Sequence, residues 1–422
     1  MNISRLLKTI FFVPLKSTIH EIKQAIYKLK YDYIPTGLEK DFDLSTVKTV
    51  LIDRLDGKLG DTVCILPFLK IFYKYCPNAK IYILSNNAIY DILKDCCGNN
   101  YEIITCNNTK DFSEIQGKLK NISSSFDLYI NLTNGVSSRL IKLINKIHAK
   151  FNITLTPKYK FNNIKLISNF QKDIVNKNVY YIEMFNKIID IGTKNTLNKS
   201  ENFNTPIESD NLNQANIQNA IPPLSFLSDI NTKLYLDIIS DIKTNREKEF
   251  LQNSTASNDC SKLKFIGINP YGHSSKRKLC PKTITAILER LMSIQNVIAC
   301  FVITPKEQSL IENIISNNFK EYENRIFVDK NIKSIKDVIT HVASFDAFIG
   351  VDTATCHICA NYDVLQLAIY QKKASSNAMW AARSINAVNI FTNKSHMGNI
   401  TYQDIETALE QVLDSLNWLT KC

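Results

Sequence analysis

Apolar residues in this chain come in short unbroken runs rather than in alternation. "TVKTVLID" (46–53), "KIYILS" (80–85), "FDLYINLT" (126–133), "KLKFIGINP" (262–270), "NVIACFVIT" (296–304), "AFIGVD" (347–352) and "VLQLAIY" (364–370) all have strand length. A strand that is apolar on consecutive residues is covered on both faces, which is the condition of a parallel sheet. "YEIIT" (101–105) and "RIFVD" (325–329) read as further strands, and helical stretches intervene at 61–76, 87–95, 282–294, 306–316, 334–345, from 353, and at 402–417. Strand and helix in alternation predict an α/β chain with doubly wound sheets. The series runs twice, so two Rossmann-like domains with a cleft between them are expected.

The expected boundaries follow the breaks in this pattern. Residues 1–45 form a basic amphipathic extension, 46–245 the first domain, 246–261 a linker and 262–422 the second domain. An Asn-rich insertion near 193–230 interrupts the first domain, and 193–260 has no clear periodicity. In the extension, Ile3, Leu6, Leu7 and Ile10, then Ile19, Ile22, Ile26 and Leu29, recur at helical spacing among lysines. Pro14 is expected to split it into two helices. Such a segment either lies on an anionic membrane surface or packs on its own domain. In the segment after the first strand, Asp61 or Thr62 is the expected helix cap, and Pro67 predicts a kink or a late start.

Composition narrows the class. Of 422 residues, 45% are hydrophobic and 22% charged, as in soluble globular proteins. No apolar run reaches the roughly 18 residues of a spanning helix, and no stretch reads as a cleavable signal peptide. The net charge of +11 is spread along the chain without a nucleic-acid motif, so an anionic small molecule or lipid surface is expected and nucleic acid is not. Eleven cysteines at irregular spacing form no disulfide framework and read as reduced thiols of a cytoplasmic protein. Cys356 and Cys359 bracket His357, but Cys280 alone supplies no second ligand pair. Buried thiols on a helix are therefore expected, and no metal.

Three loops fall at strand ends, where open parallel sheets bind ligands. "RLDGKLGD" (54–61) follows the first strand. It crowds Arg54, Asp56, Lys58 and Asp61 around Gly57 and Gly60, with Asp61 at a helix start, where the dipole favours a carboxylate as the anion. Its glycine spacing is not that of a dinucleotide fold. "NPYGHSSKRKLCP" (269–281) places Lys276, Arg277 and Lys278 just before a helix, a concentration of charge suited to a diphosphate. "GVDTATCHICANY" (350–362) ends a buried strand at Asp352. Thr353, Ala354 and Thr355 then open a helix whose free amides suit phosphate, and Asp352 suits sugar hydroxyls. Each loop also has a simpler reading: an N-cap, a solvated basic loop, an ordinary Asp/Thr cap.

Taken in order, the loops resemble the heptosyltransferases, glycosyltransferase family 9. The family pattern of Arg-x-Asp, Gly-Asp and an apolar helix with proline falls on Arg54, Asp56, Gly60, Asp61 and Pro67. Its Asn-Pro, small-residue loop and basic residue fall on Asn269, Pro270, Gly272, Ser274, Ser275 and Lys276. Asp-Ser/Thr-Gly-x-x-His falls on Asp352, Thr353, Ala354 and His357, with Ala354 in the place of the usual glycine. A usual aromatic is absent at Cys280. The resemblance spans about 47–155 and 262–415. It implies a GT-B fold and an inverting transfer of heptose from ADP-heptose, or a related nucleotide sugar, to a lipid-linked lipopolysaccharide inner-core acceptor. The reaction would take place in the cytoplasm, at the inner-membrane surface. It further implies Asp61 as the base and Lys276, with Arg277, against the departing diphosphate. The amides of Thr353, Ala354 and Thr355 would serve the same phosphates, Asp352, His357 and Glu307 would be donor contacts, and no cofactor would be required, a divalent cation binding at most nonspecifically. The loop of Arg54, Asp56, Gly57, Lys58 and Gly60 would face the acceptor. The alternatives are the same fold with another nucleotide sugar, or a binding protein without catalysis.

Overall fold

The computed structural model describes residues 13–107, 112–122, 125–131, 137–154, 159–164, 181–193, 240–248, 263–329, 332–371, 381–382 and 384–418. The expected insertion near 193–230 and most of the expected linker lie outside these residues. The chain divides into two compact units. The first comprises residues 1–57, 71–172 and 184–202; the second comprises 58–70, 173–183 and 203–422.

The first unit holds five parallel strands: β1 (Thr49–Asp53), β2 (Lys80–Asn86), β3 (Glu102–Cys106), β4 (Leu128–Asn131) and β5 (Phe151–Thr154). Their order is β3-β2-β1-β4-β5. The central strands are buried almost throughout, as their unbroken apolar runs require. Around them stand α1 (Val13–Tyr31), the carboxyl end of α2 (Leu59–Tyr75), α3 (Tyr90–Cys97), α4 (Phe112–Lys120), α5 (Ser138–Ile147) and much of α6 (Tyr181–Thr193). Leu140, Ile141, Ile144 and Ile147 of α5 join Leu51, Leu84 and Tyr129 in one core. Ser137 caps α5 by accepting from the Leu140 amide at 3.2 Å. Pro14 lies in the first turn of α1, where its missing N–H costs nothing; the helix expected before it lies outside the described residues.

The second unit has six parallel strands: β6 (Lys264–Asn269), β7 (Val297–Phe301), β8 (Ile326–Val328), β9 (Ala347–Val351), β10 (Leu365–Tyr370) and β11 (Ala387–Phe391). Their order, β11-β10-β9-β6-β7-β8, is that of a doubly wound nucleotide-binding sheet. Helices α7 (240–248), α8 (Pro281–Met292), α9 (Pro305–Asn318), α10 (Ile335–Ala343), α11 (Ala354–Asn361) and α12 (Glu406–Trp418) cover it. Residues 240–248, partly within the stretch read as linker, are helical. Arg246 ties them down: it donates to Ser344 Oγ at 2.6 Å, pairs with Asp329 at 3.3 Å and stacks over the Phe345 ring. The chain crosses from one side of the sheet to the other between β6 and β9, so the loops after these strands flank the switch point where such sheets bind ligands. Paired Asn269 and Gly350 show that both strands end at one level.

None of the helices among the described residues is long and apolar enough to cross a membrane.

Gly267 lets β6 run under two aromatic rings: a Cβ there would fall 2.4 Å from Phe345 and 2.5 Å from Phe348. Gly267→Ala should therefore destabilise the second unit by roughly 1–3 kcal/mol. Urea unfolding would read the change, and an unaltered midpoint would show that the rings give way.

Candidate active site

The loop after β1 is built by its own charges. Arg54 is 1% exposed and pairs with Asp56 at 3.1 Å beneath the turn. The Gly57 amide donates to the Arg54 carbonyl at 3.2 Å, closing a four-residue turn. Gly57 has φ +58°, and a Cβ there would overlap the Asn86 amide at 1.6 Å. Only glycine meets both conditions. Directly before the turn, buried Asp53 accepts from Tyr129 Oη at 2.7 Å, Asn131 Nδ2 at 3.0 Å and the Leu55 amide at 3.0 Å. Burial raises its pKa above the ordinary carboxylate value, against the pull of these three donors. Arg54, Asp56 and Gly57 thus shape the loop from within, while Lys58 stands exposed.

Helix α2 starts at Leu59, earlier than the expected cap at Asp61 or Thr62. The Thr62 amide and hydroxyl both donate to the Lys58 carbonyl, at 3.0 and 2.9 Å, so the first turn closes on Lys58. Asp61 therefore sits within that turn, near the positive end of the helix, with Lys58 Nζ at 3.8 Å. The helix also runs unbroken through Pro67. A proline in a helix leaves the carbonyl four residues earlier without its amide, here that of Val63. Asn361, buried at the end of α11, supplies the missing donor: its Nδ2 lies 3.1 Å from Val63 O.

A second contact lies one turn away. A Cβ built on Gly60 would meet Ala354 Cα and His357 Cδ2 at 3.4 Å and the Ala354 methyl at 3.7 Å. The first turn of α2, counted within the second unit, thus rests on α11, with Asp61 one residue on, about 3.8 Å between successive Cα atoms. His357 is buried in this contact. Burial lowers its pKa to about 4, so its ring is neutral at neutral pH. Cys356 and Cys359 are also buried. Burial pushes the Cys356 thiol up to about 12, and it donates to the Val351 carbonyl at 3.3 Å. Among the described residues no group of three or more His, Cys, Asp or Glu side chains is disposed to hold a metal.

At the amino end of α11, Thr353 is the N-cap residue but makes no side-chain cap. Its hydroxyl is instead paired with that of Thr355 at 2.7 Å. The loop after β6 is a compact hairpin held by Gly272 N to Arg277 O at 2.6 Å and Leu279 N to Pro270 O at 3.0 Å. Gln371 donates to the Lys276 carbonyl at 2.6 Å and to the Ser395 carbonyl at 2.9 Å, fixing the loop from β10. Two of its three cations are committed. Arg277 pairs with Asp352 at 3.1 Å, joining the β6 and β9 loops. Lys278 pairs with Glu307 at 2.8 Å and lies over the Tyr271 ring. Burial would raise the Glu307 pKa, but hydrogen bonds from Lys278 and Thr304 outweigh it and leave it lowered. The Lys276 side chain is exposed and has no ion pair among the described residues.

No family model and no curated protein matches the sequence. Solved structures do. A glycosyl transferase of family 9 from Veillonella parvula DSM 2008 aligns with a TM-score of 0.58 at 15% identity, over 87% of this chain and 97% of that one. The Escherichia coli ADP-heptose LPS heptosyltransferase II aligns at 0.56 and 13% identity, over 89% and 100%. The E. coli heptosyltransferase WaaC with ADP aligns at 0.52 and 12%, over 86% and 99%. The fold is GT-B. The likeness falls on the family whose motifs the sequence resembles.

Sequence reading passed over Asn361, Gln371 and the Asp53–Tyr129–Asn131 cluster. Asn361 had a signal: a proline inside a helix calls for a foreign donor, and this one lies in the third motif.

If Asn361 exists to serve Val63, Asn361→Leu should cost about 1–3 kcal/mol of stability. The same change in a Pro67→Ala background, where the backbone donor is restored, should cost much less. Additive losses in urea unfolding would reject the coupling.

Proposed function

We propose that this chain is an inverting glycosyltransferase that takes a nucleoside-diphosphate sugar as donor. The observation that carries this reading is the contact of Gly60 with Ala354 and His357. It brings the Asp61 turn against the helix whose amino end, with the β6 loop, flanks the switch point of the second sheet. A proton acceptor and an anion cradle then belong to one unit.

On this reading the Asp61 carboxylate takes the proton of an acceptor hydroxyl as its oxygen attacks the anomeric carbon. The bond from that carbon to the diphosphate oxygen breaks, and the diphosphate leaves with the electron pair. Lys276, the exposed cation of the β6 loop, would meet the growing negative charge. So would the uncapped amides at the start of α11. Arg277 would orient Asp352 toward the donor, and Lys278 would hold Glu307 near its ribose. The expectation that no cofactor is required rests on this division of charge and is part of the proposal.

The favoured donor is ADP-heptose and the favoured acceptor a lipid-linked lipopolysaccharide inner core at the cytoplasmic face of the inner membrane. Family 9 likeness and the ADP held by one similar structure support it. Ala354, where the family pattern has glycine, favours as second reading another sugar on the same nucleotide scaffold. Its methyl stands at the start of the proposed phosphate helix.

Incubation with ADP-heptose and a heptose-free core acceptor should add one heptose to the acceptor mass. Product only with a different nucleotide sugar would establish the second reading, and no product with any would reject catalysis. Asp61→Ala should lower kcat by about 10³-fold or more with donor binding nearly intact. Lys276→Ala should instead weaken donor binding or departure. Normal turnover in the first variant would remove Asp61 as base.

A further inference from the structure

Helix α1 has two apolar faces, and the first unit uses one of them. Tyr27 and Tyr31 pack against its core, with ring centroids 5.3 Å apart. Just beyond the helix, the Tyr31 carbonyl accepts from Asn145 Nδ2 at 2.9 Å, Asp32 accepts from the Phe161 amide at 3.1 Å, and Tyr33 Oη donates to the Ala149 carbonyl at 3.4 Å. The helix is therefore fixed along its tyrosine side. Ile19, Ile22, Ile26 and Leu29, spaced i, i+3, i+7 and i+10, form a separate stripe. They are 55%, 56%, 55% and 89% exposed. Past the helix end, Ile34 and Leu38 are also exposed, at 77% and 54%.

A core stripe would be covered and a solvated helix face would be polar; this one is neither. Its border decides what it fits. Lys23 and Lys30, seven residues apart and both exposed, fall on the helical wheel between the isoleucines and the tyrosines, their ammonium groups 5.8 Å from the Tyr27 ring and 5.5 Å from the Tyr31 ring. Glu21, the only carboxylate of α1, lies off the stripe on the helical wheel. An apolar band edged by ammonium groups matches the interface of an anionic bilayer. There the aliphatic side chains enter the acyl boundary and the lysines meet the headgroups. A protein partner would call for acceptors placed one by one, whereas a lipid surface asks only for a band of this chemistry, about 28 Å long for a helix of 19 residues.

We infer that the Ile19–Ile22–Ile26–Leu29 face of α1 is a docking surface for an anionic lipid bilayer. The inference stands apart from the donor chemistry and needs no substrate to test.

The full chain should co-sediment with vesicles of equal phosphatidylglycerol and phosphatidylcholine, and far less with phosphatidylcholine alone. Ile22→Ser/Ile26→Ser/Leu29→Ser should lower the partition coefficient tenfold or more, with little change in the unfolding midpoint, since each of the three side chains is more than half exposed. Lys23→Gln/Lys30→Gln should weaken it roughly tenfold at low salt and flatten its salt dependence. A wild-type chain that ignores the anionic vesicles overturns the inference, as does a serine variant that binds like wild type. A concentration-dependent dimer abolished by the serine substitutions would assign the face to a second copy. An unfolding midpoint lowered in the serine variant by as much as a core mutation lowers it would mean that another segment of this chain covers the face. Either result overturns the lipid assignment.

Discussion

The geometry of the second unit turns on a missing hydrogen. Pro67 has no amide proton, so the Val63 carbonyl lacks the partner that every interior helical carbonyl expects. Asn361 fills the vacancy from α11. One turn earlier, Gly60 lies against α11, so close that a Cβ there would touch Ala354 and His357. A side-chain donor at one point and close packing at the other join the α2 start to α11. Asp61, between them in sequence, has its position set by groups that take no part in chemistry themselves. This is how a carboxylate is held in place without being fully buried: its neighbours are packed, and its side chain stays 20% exposed.

Charge on the rim of the second sheet is sorted by pairing. Arg277 and Asp352 tie the β6 loop to the β9 loop, and Lys278 and Glu307 tie it to the start of α9. Partly exposed pairs of this kind contribute little to stability on their own, but they decide which cation stays available. Lys276 is held by its backbone carbonyl, through Gln371, while its ammonium faces solvent. The loop is rigid where it must be and free at the atom that would meet a phosphate.

Much of the fold could be read from the unbroken apolar runs. β1, β6, β9 and β10 are buried on both faces, so every residue in them must be apolar or satisfied internally. That pattern cannot be mistaken for a surface strand. The edges were less clear. β5 carries Asn152 and Thr154, polar residues whose burial is secured by Ala149, Asn162 and Asn163 from outside the strand. β11 is only half-buried, with an exposed Phe391. Neither shows the apolar run that signals an interior strand. Helix α5 was readable in principle, since Ser137 and the 140–141–144–147 spacing carry the signal. The start of α2 was placed too late because a carboxylate near a helix end resembles a cap, and nothing local reveals that the turn closes on Lys58.

By itself, the order of residues determined the two doubly wound sheets, the strand ends on which the charged loops would fall, and the apolar stripe of the amino-terminal helix. These depend on local periodicity, which is written along the chain. Only the tertiary structure decided that Arg54 is an internal counter-ion rather than a surface cation, that two of three loop cations are already paired, and that Asn361 answers Pro67. Each of these joins groups that are brought together by packing, some of them nearly 300 residues apart, and no local pattern encodes which distant partner a polar atom will find.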